Sequence, residues 1–164
     1  MAGQIEAKLT ELGITLPEPI SPIADYVPFV RTGNLLFVSG QVPKGPGGMI
    51  TGQLTADDHE ADGTTAPGSQ FPKAVTAATL CALNILSQVK AAVGDLDRVT
   101  QVVKLTGFVN CDGTFEQQPQ VINGASSLMI GVFGEAGLHA RAAVGSSSLP
   151  GGCIVEVEGV FEID

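Results

Sequence analysis

The stretch CIVEVEGVFE, Cys153 to Glu162, alternates apolar and acidic residues. Successive side chains of a strand point to opposite faces. Val155, Val157 and Phe161 therefore share one face, and Glu156, Glu158 and Glu162 share the other. The first face needs an apolar cover. Two helical segments can supply it. SQFPKAVTAATLCALNILSQVKAAVGDL places Val75, Ala78, Leu83, Ile85, Leu86 and Val89 on a broad apolar face, with Ser69 as cap and Gly94 as stop. TFEQQPQVINGASSLMIGVFGEAG is the second helix, ended by Gly134 and Gly137.

The rest of the chain fits around these. GQIEAKLTELG is a short amphipathic helix with Ile5, Leu9 and Leu12 on one side and Gly13 at its end. ITLPEPISPIADY is extended, because each proline disfavours helix at the residue before it. YVPFVRTGNLLFVSGQVP reads as two strands turned at Thr32-Gly33-Asn34 and ended by Pro43. Residues 44–68 are rich in Gly, Asp and Thr. They predict a long surface loop, with a short strand near Met49 to Thr51 and a mobile part from Asp57 to Asp62. RVTQVVKLTGFVNC is a further strand, and the tail gives two more, about 140–147 and 153–162, joined by SSSLPGG.

The order helix, β, β, helix, β, helix, β, β predicts an α+β fold: one mixed sheet with both long helices on one face. Residues 1–164 form a single domain, with 1–24 as an N-terminal extension. No helix remains for the other sheet face. In a chain with so few charges, other copies of the chain are expected to cover it.

The charge balance narrows the function. Eight Lys and Arg stand against 17 Asp and Glu, a net charge of −9. Nucleic-acid binders neutralise phosphates with many cations, so no nucleic-acid partner is expected. Three cysteines, Cys81, Cys111 and Cys153, show no CxxC spacing and read as reduced thiols in a cytoplasmic protein. The N-terminus lacks the basic and apolar regions of a signal peptide, and no stretch reads as a membrane span. KGPGGMITG does not match a phosphate loop. DDHEAD in a flexible loop reads as solvated rather than as a metal site. His139 reads as a surface or satisfied histidine that could line a pocket with Arg141. None of the cysteines reads as a nucleophile, and nothing calls for a cofactor.

Arg141 is the unusual residue, a permanent cation at the start of the small, apolar run RAAVG. If the last two strands form a hairpin in which partner numbers sum to 297, Arg141 lies opposite Glu156, in a pocket walled by Ala143 and Gly145. The neighbouring even register would put the two on opposite faces. A structural ion pair at a subunit interface is the alternative role.

These residues resemble the RidA/YjgF family of small trimeric proteins. RTGNLLFVSGQVP matches the family's first hairpin, and GLHARAAVGSSSLPGGCIVEVEGV its C-terminal signature. The resemblance runs from about Tyr26 to Glu162. It implies a chorismate mutase-like fold with a six-stranded mixed sheet, assembled as a homotrimer. It also implies that Arg141 holds a substrate carboxylate and that Glu156 is the acidic residue near the reactive carbon. Tyr26 would close the pocket, and Ser39, Gly40 and Asn123 would line it. Ala143 stands where active members usually carry Cys, and IAD precedes the tyrosine in place of Gly-Pro. The 44–68 loop and the N-terminal helix are longer than in the common short members.

The implied activity is hydrolysis of enamines and imines such as 2-aminoacrylate to 2-oxo acids and ammonia. The chemistry is coherent: a guanidinium binds a carboxylate through two parallel bonds, and an imine carbon needs only a positioned water and a proton shuttle. The alternatives are a non-catalytic binder or sensor of small 2-oxo or amino acids, and a ribonuclease.

Overall fold

The computed structural model describes residues 3–22, 24–61 and 64–164. Its elements in chain order are α1 (Gln4–Glu11), β1 (Phe29–Thr32), β2 (Leu35–Gln41), β3 (Lys44–Gly45), β4 (Gly48–Met49), β5 (Glu60–Ala61), β6 (Thr64–Thr65), α2 (Phe71–Val93), β7 (Val99–Asn110), α3 (Gln118–Phe133), β8 (Ala140–Ser146) and β9 (Val155–Ile163). The mixed sheet runs β1-β2-β9-β7-β8. Only β7 and β8 are parallel, and α3 is the crossover between them. Helix α2 packs on β9 and β2, and α3 packs on β7 and β8, so both cover one face.

The alternation in the last strand holds. Val155, Val157, Phe161 and Ile163 are buried beneath the helices, while Glu156, Glu158 and Glu162 face the other way. Gly33, in the left-handed region at φ 59°, makes the turn that pairs Thr32 with Leu35. The two helices approach closely at Gly124, where a Cβ would collide with the Val75 carbonyl oxygen. Thr79 Oγ1 lies 3.1 Å from that carbonyl and 3.2 Å from the carbonyl of Gly124.

Four expectations need correction. The last two strands do not form a hairpin: β9 inserts between β2 and β7, and β7 separates it from β8. The crossover through α3 takes one edge of β7, and the more apolar β9 takes the other. Second, the sheet has five strands among the described residues, not six. Residues 50–54 run beside it through isolated bridges, Thr51 with Cys153 and Leu54 with Cys111, without forming a ladder. Third, residues 44–68 are not one solvated loop. They hold the ribbons β3-β4 and β5-β6, and Asp58 is buried. Its carboxylate accepts from Gln70 N at 2.6 Å and Thr55 N at 3.0 Å, which ties the segment to the start of α2. Asp62, the far end of the stretch expected to be mobile, lies outside the described residues. Fourth, α2 is by length and composition apolar enough to cross a membrane, but 61% of its apolar window is buried inside the fold.

Candidate functional site

The sequence-predicted residues fall into two groups, on opposite faces of the sheet. Arg141 pairs with Leu105, which pairs with Gly159. Leu105 is fully buried beneath the helices, so Arg141 points to the helix side. Glu156 pairs with Phe108, which pairs with Val144, and this row faces away from the helices. One strand and three residues of register separate Arg141 from Glu156. That is roughly 14 Å between their Cα atoms. The shared pocket expected from the hairpin therefore does not form within one chain.

The first group lies where β8 meets α3. Arg141 is exposed, and its Nη1 donates to Asn123 Oδ1 at 2.8 Å and to Ser126 Oγ at 3.1 Å. His139, half-buried, contacts Ser126 Oγ through Nε2 at 2.9 Å and the Gly137 carbonyl through Nδ1 at 2.6 Å. Ala143 is two residues along the same face and packs against the core. Asn123 also lines a depression of about 600 Å³ between α1, α2 and α3. That groove holds neither Arg141 nor Glu156.

The second group is built by a β-bulge. Between Val38 and Gln41 three steps of β2 face two of β9, so Ser39 and Gly40 bend away beside Glu156. A Cβ on Gly40 would collide with Glu156 Oε1, so glycine makes the space for that carboxylate. Glu156, Gly40, Tyr26, Gln41, Lys44 and Met49 line part of a cavity of about 360 Å³. Burial, with Glu158 adding repulsion, pushes the Glu156 carboxyl above its ordinary pKa. Ser39 does not line this cavity; its hydroxyl donates to the Val27 carbonyl at 2.8 Å and fastens the segment that carries Tyr26. Burial, then Glu156, pushes the Cys153 thiol up to about 11. Burial first, then Cys153 and Glu156, pushes the Cys81 thiol well above its ordinary value. Neither thiol is suited to nucleophilic work.

The sequence reading missed Ser126 and Lys44. Ser126 could have been found, because it lies three residues after Asn123 on one helix face. Lys44 could not, since only tertiary packing brings the β3-β4 ribbon to Glu156. Another convergence went unread: Glu6, Asp95 and Asp97 stand close enough together to hold a cation. Two of these oxygens are engaged in holding α1, since Asp97 accepts from Gln4 N and Ile5 N, both at 2.7 Å.

Comparison with known proteins extends the picture beyond these side chains. Residues 6–161 match the family model described as "YjgF/chorismate mutase-like, putative endoribonuclease". The chain is 46% identical over 165 residues to Protein TCP17 of Trypanosoma cruzi, covering 99% of this chain and 96% of that one. It is similar to a crystal structure of a protein of unknown function from Agrobacterium tumefaciens, at 48% identity and a TM-score of 0.82, covering 98% of this chain and 92% of that one. A Shewanella oneidensis protein that carries the same endoribonuclease description is 28% identical, with a TM-score of 0.86 over 98% of this chain and all of that one. The family match spans both halves of the site, the SGQ bulge and the arginine strand, and the chain belongs to the RidA/YjgF family.

Proposed function

We propose that the chain is an enamine and imine deaminase that hydrolyses small carboxylate-bearing intermediates to 2-oxo acids and ammonia. We further propose that it works as a homotrimer. The observation that carries this is the split site. A guanidinium edge and a carboxyl group of raised pKa lie on opposite faces, too far apart for one small acid to touch both. A second copy that seats its Arg141 group against the Glu156 cavity completes the constellation, and three copies in a ring close without leaving a free half-site.

In that pocket Arg141 holds the substrate carboxylate by two charge-assisted hydrogen bonds. Glu156, which keeps its proton to higher pH than an ordinary carboxyl, gives it to the terminal carbon of an enamine and leaves an iminium. As a carboxylate it then takes a proton from the water that attacks the iminium carbon. Returning that proton to nitrogen makes ammonia the leaving group; the C–N bond breaks as the C=O bond forms, and the hydroxyl proton passes to Glu156, which regains its protonated form. No thiol takes part, so Ala143 in place of Cys does not exclude this route.

The test is calorimetric titration with pyruvate, beside ammonia release from imines generated in situ. Arg141→Ala is expected to weaken pyruvate binding roughly ten- to 150-fold. Arg141→Lys keeps the charge but loses the planar fork, and should be nearly as damaging. Glu156→Gln should bind pyruvate and lose turnover. Pyruvate binding without ammonia release would make the protein a binder rather than an enzyme. The endoribonuclease description is disfavoured by the net charge of −9. RNA cleavage that copurifies with the protein at constant specific activity would reverse that judgement.

A further inference from the structure

We infer that Ser126 and His139 are positioning residues that fix which edge of Arg141 meets the substrate. The inference rests on the carboxylate-binding reading of Arg141 and adds two residues to it. Nη1 of Arg141 carries two hydrogens, and both are engaged, one by Asn123 Oδ1 and one by Ser126 Oγ. Among the described residues nothing engages Nε or Nη2. The hydrogens of Nε and Nη2 lie side by side along one edge of the planar group, so the edge left open is a two-pronged carboxylate site.

The direction of each hydrogen follows from what its partner can do. The Gly137 carbonyl only accepts, so the 2.6 Å contact requires a hydrogen on His139 Nδ1. In the neutral ring Nε2 is then an acceptor, and the 2.9 Å contact must use the Ser126 hydroxyl hydrogen. With its hydrogen committed to His139, Ser126 Oγ presents lone pairs to Arg141 Nη1. The chain runs Arg141 to Ser126 to His139 to the Gly137 carbonyl with each hydrogen used once. An imidazolium would instead aim a second cationic donor at the same hydroxyl. Asn123 and Ser126 are three residues apart on α3, so one helix face grips one nitrogen of the guanidinium.

The experiment is pyruvate calorimetry and imine-hydrolysis kinetics on the full chain carrying Ser126→Ala, Ser126→Thr, His139→Ala and the Ser126→Ala/His139→Ala double change. Ser126→Ala should weaken pyruvate binding about tenfold and raise KM with kcat little changed, because the cation remains but its aim is lost. Ser126→Thr keeps the hydroxyl and should restore binding. His139→Ala should weaken binding less, and the double variant should be no worse than Ser126→Ala, because His139 acts only through the hydroxyl. Nitrogen NMR of the neutral His139 ring should place its hydrogen on Nδ1. Wild-type affinity in Ser126→Ala, additive losses in the double variant, or an Nε2–H ring would each overturn the inference. If Arg141→Ala itself binds pyruvate like wild type, the failure lies in the carboxylate reading. If only Arg141→Ala loses binding, the carboxylate reading stands and the clamp is refuted.

Discussion

The smallest residue in the site has one of the clearest roles. Gly40 leaves the volume that the Glu156 carboxylate fills. Gly40→Ala is expected to displace that carboxylate, costing about 1–3 kcal/mol as an overpacked contact and most of the turnover. Chemical denaturation and ammonia release read the two effects. Glu156 itself makes stability depend on pH. Its carboxyl is raised in the folded chain by burial and by Glu158. At low pH it is protonated in both states and costs nothing. As pH rises past the ordinary carboxylate range, the unfolded chain ionises first, and the folded chain then ionises only at a cost. The contribution is thus present in acid and lost as pH climbs through the raised value. Glu156→Gln should therefore gain melting temperature relative to wild type as pH increases above the ordinary carboxylate range. A constant difference from acid to neutral pH would show that the group is not perturbed.

At the scale of elements, one contact ties the long connection to α2 and another sets how α2 and α3 meet. Asp58 reaches from the long connection to Gln70 N and Thr55 N, at the start of α2. Asp58→Ala should cost about 1–2 kcal/mol, as loss of a helix-terminal acceptor does. For a chain of this size each kcal/mol lowers the melting temperature by roughly 2–4 °C. An unchanged melt would mean that the 44–68 segment is as loosely held as its composition predicts. Gly124 lets α3 lie against the Val75 carbonyl of α2. Because α3 also carries Asn123 and Ser126, a larger residue there would move the groups that hold Arg141.

The molecule as a whole leaves a sheet face that its own helices do not cover. Val30 pairs with Phe37, and Phe37 with Val160, in one row on that face. Val30 is 54% exposed and Phe37 44%, and on the edge strand β8 Val144 is 45% exposed. Apolar side chains collected on a sheet face favour burial against other copies. Light scattering at micromolar concentration is expected to give about three times the 16.8 kDa chain mass. Phe37→Glu places a charge in the middle of this face and should lower that mass. It should also abolish pyruvate binding, although residue 37 lies in neither half of the site. A monomer that still binds pyruvate would separate assembly from function and sink the interfacial site.

Local sequence patterns determine much of this protein. Alternation in CIVEVEGVFEID assigned a face to each residue of β9, because strand periodicity is set by the backbone alone. Glycine stops placed the ends of all three helices within a residue or two: Gly13, Gly94 and Gly134 each follow a helix at positive φ. The SGQ and arginine motifs lie on strands, β2 and β8, as their local pattern predicts. Which strands become neighbours was not legible, because pairing is a competition among edges. The α3 crossover carries β8 to the far side of β7, so Arg141 and Glu156 fell on opposite faces rather than in one pocket. Asp58 read as solvated, since no local pattern announces a helix start twelve residues away. Lys44 joined the Glu156 cavity for the same reason. Sequence period determines the face a side chain takes; only the global packing of edges and ribbons determines what that face meets.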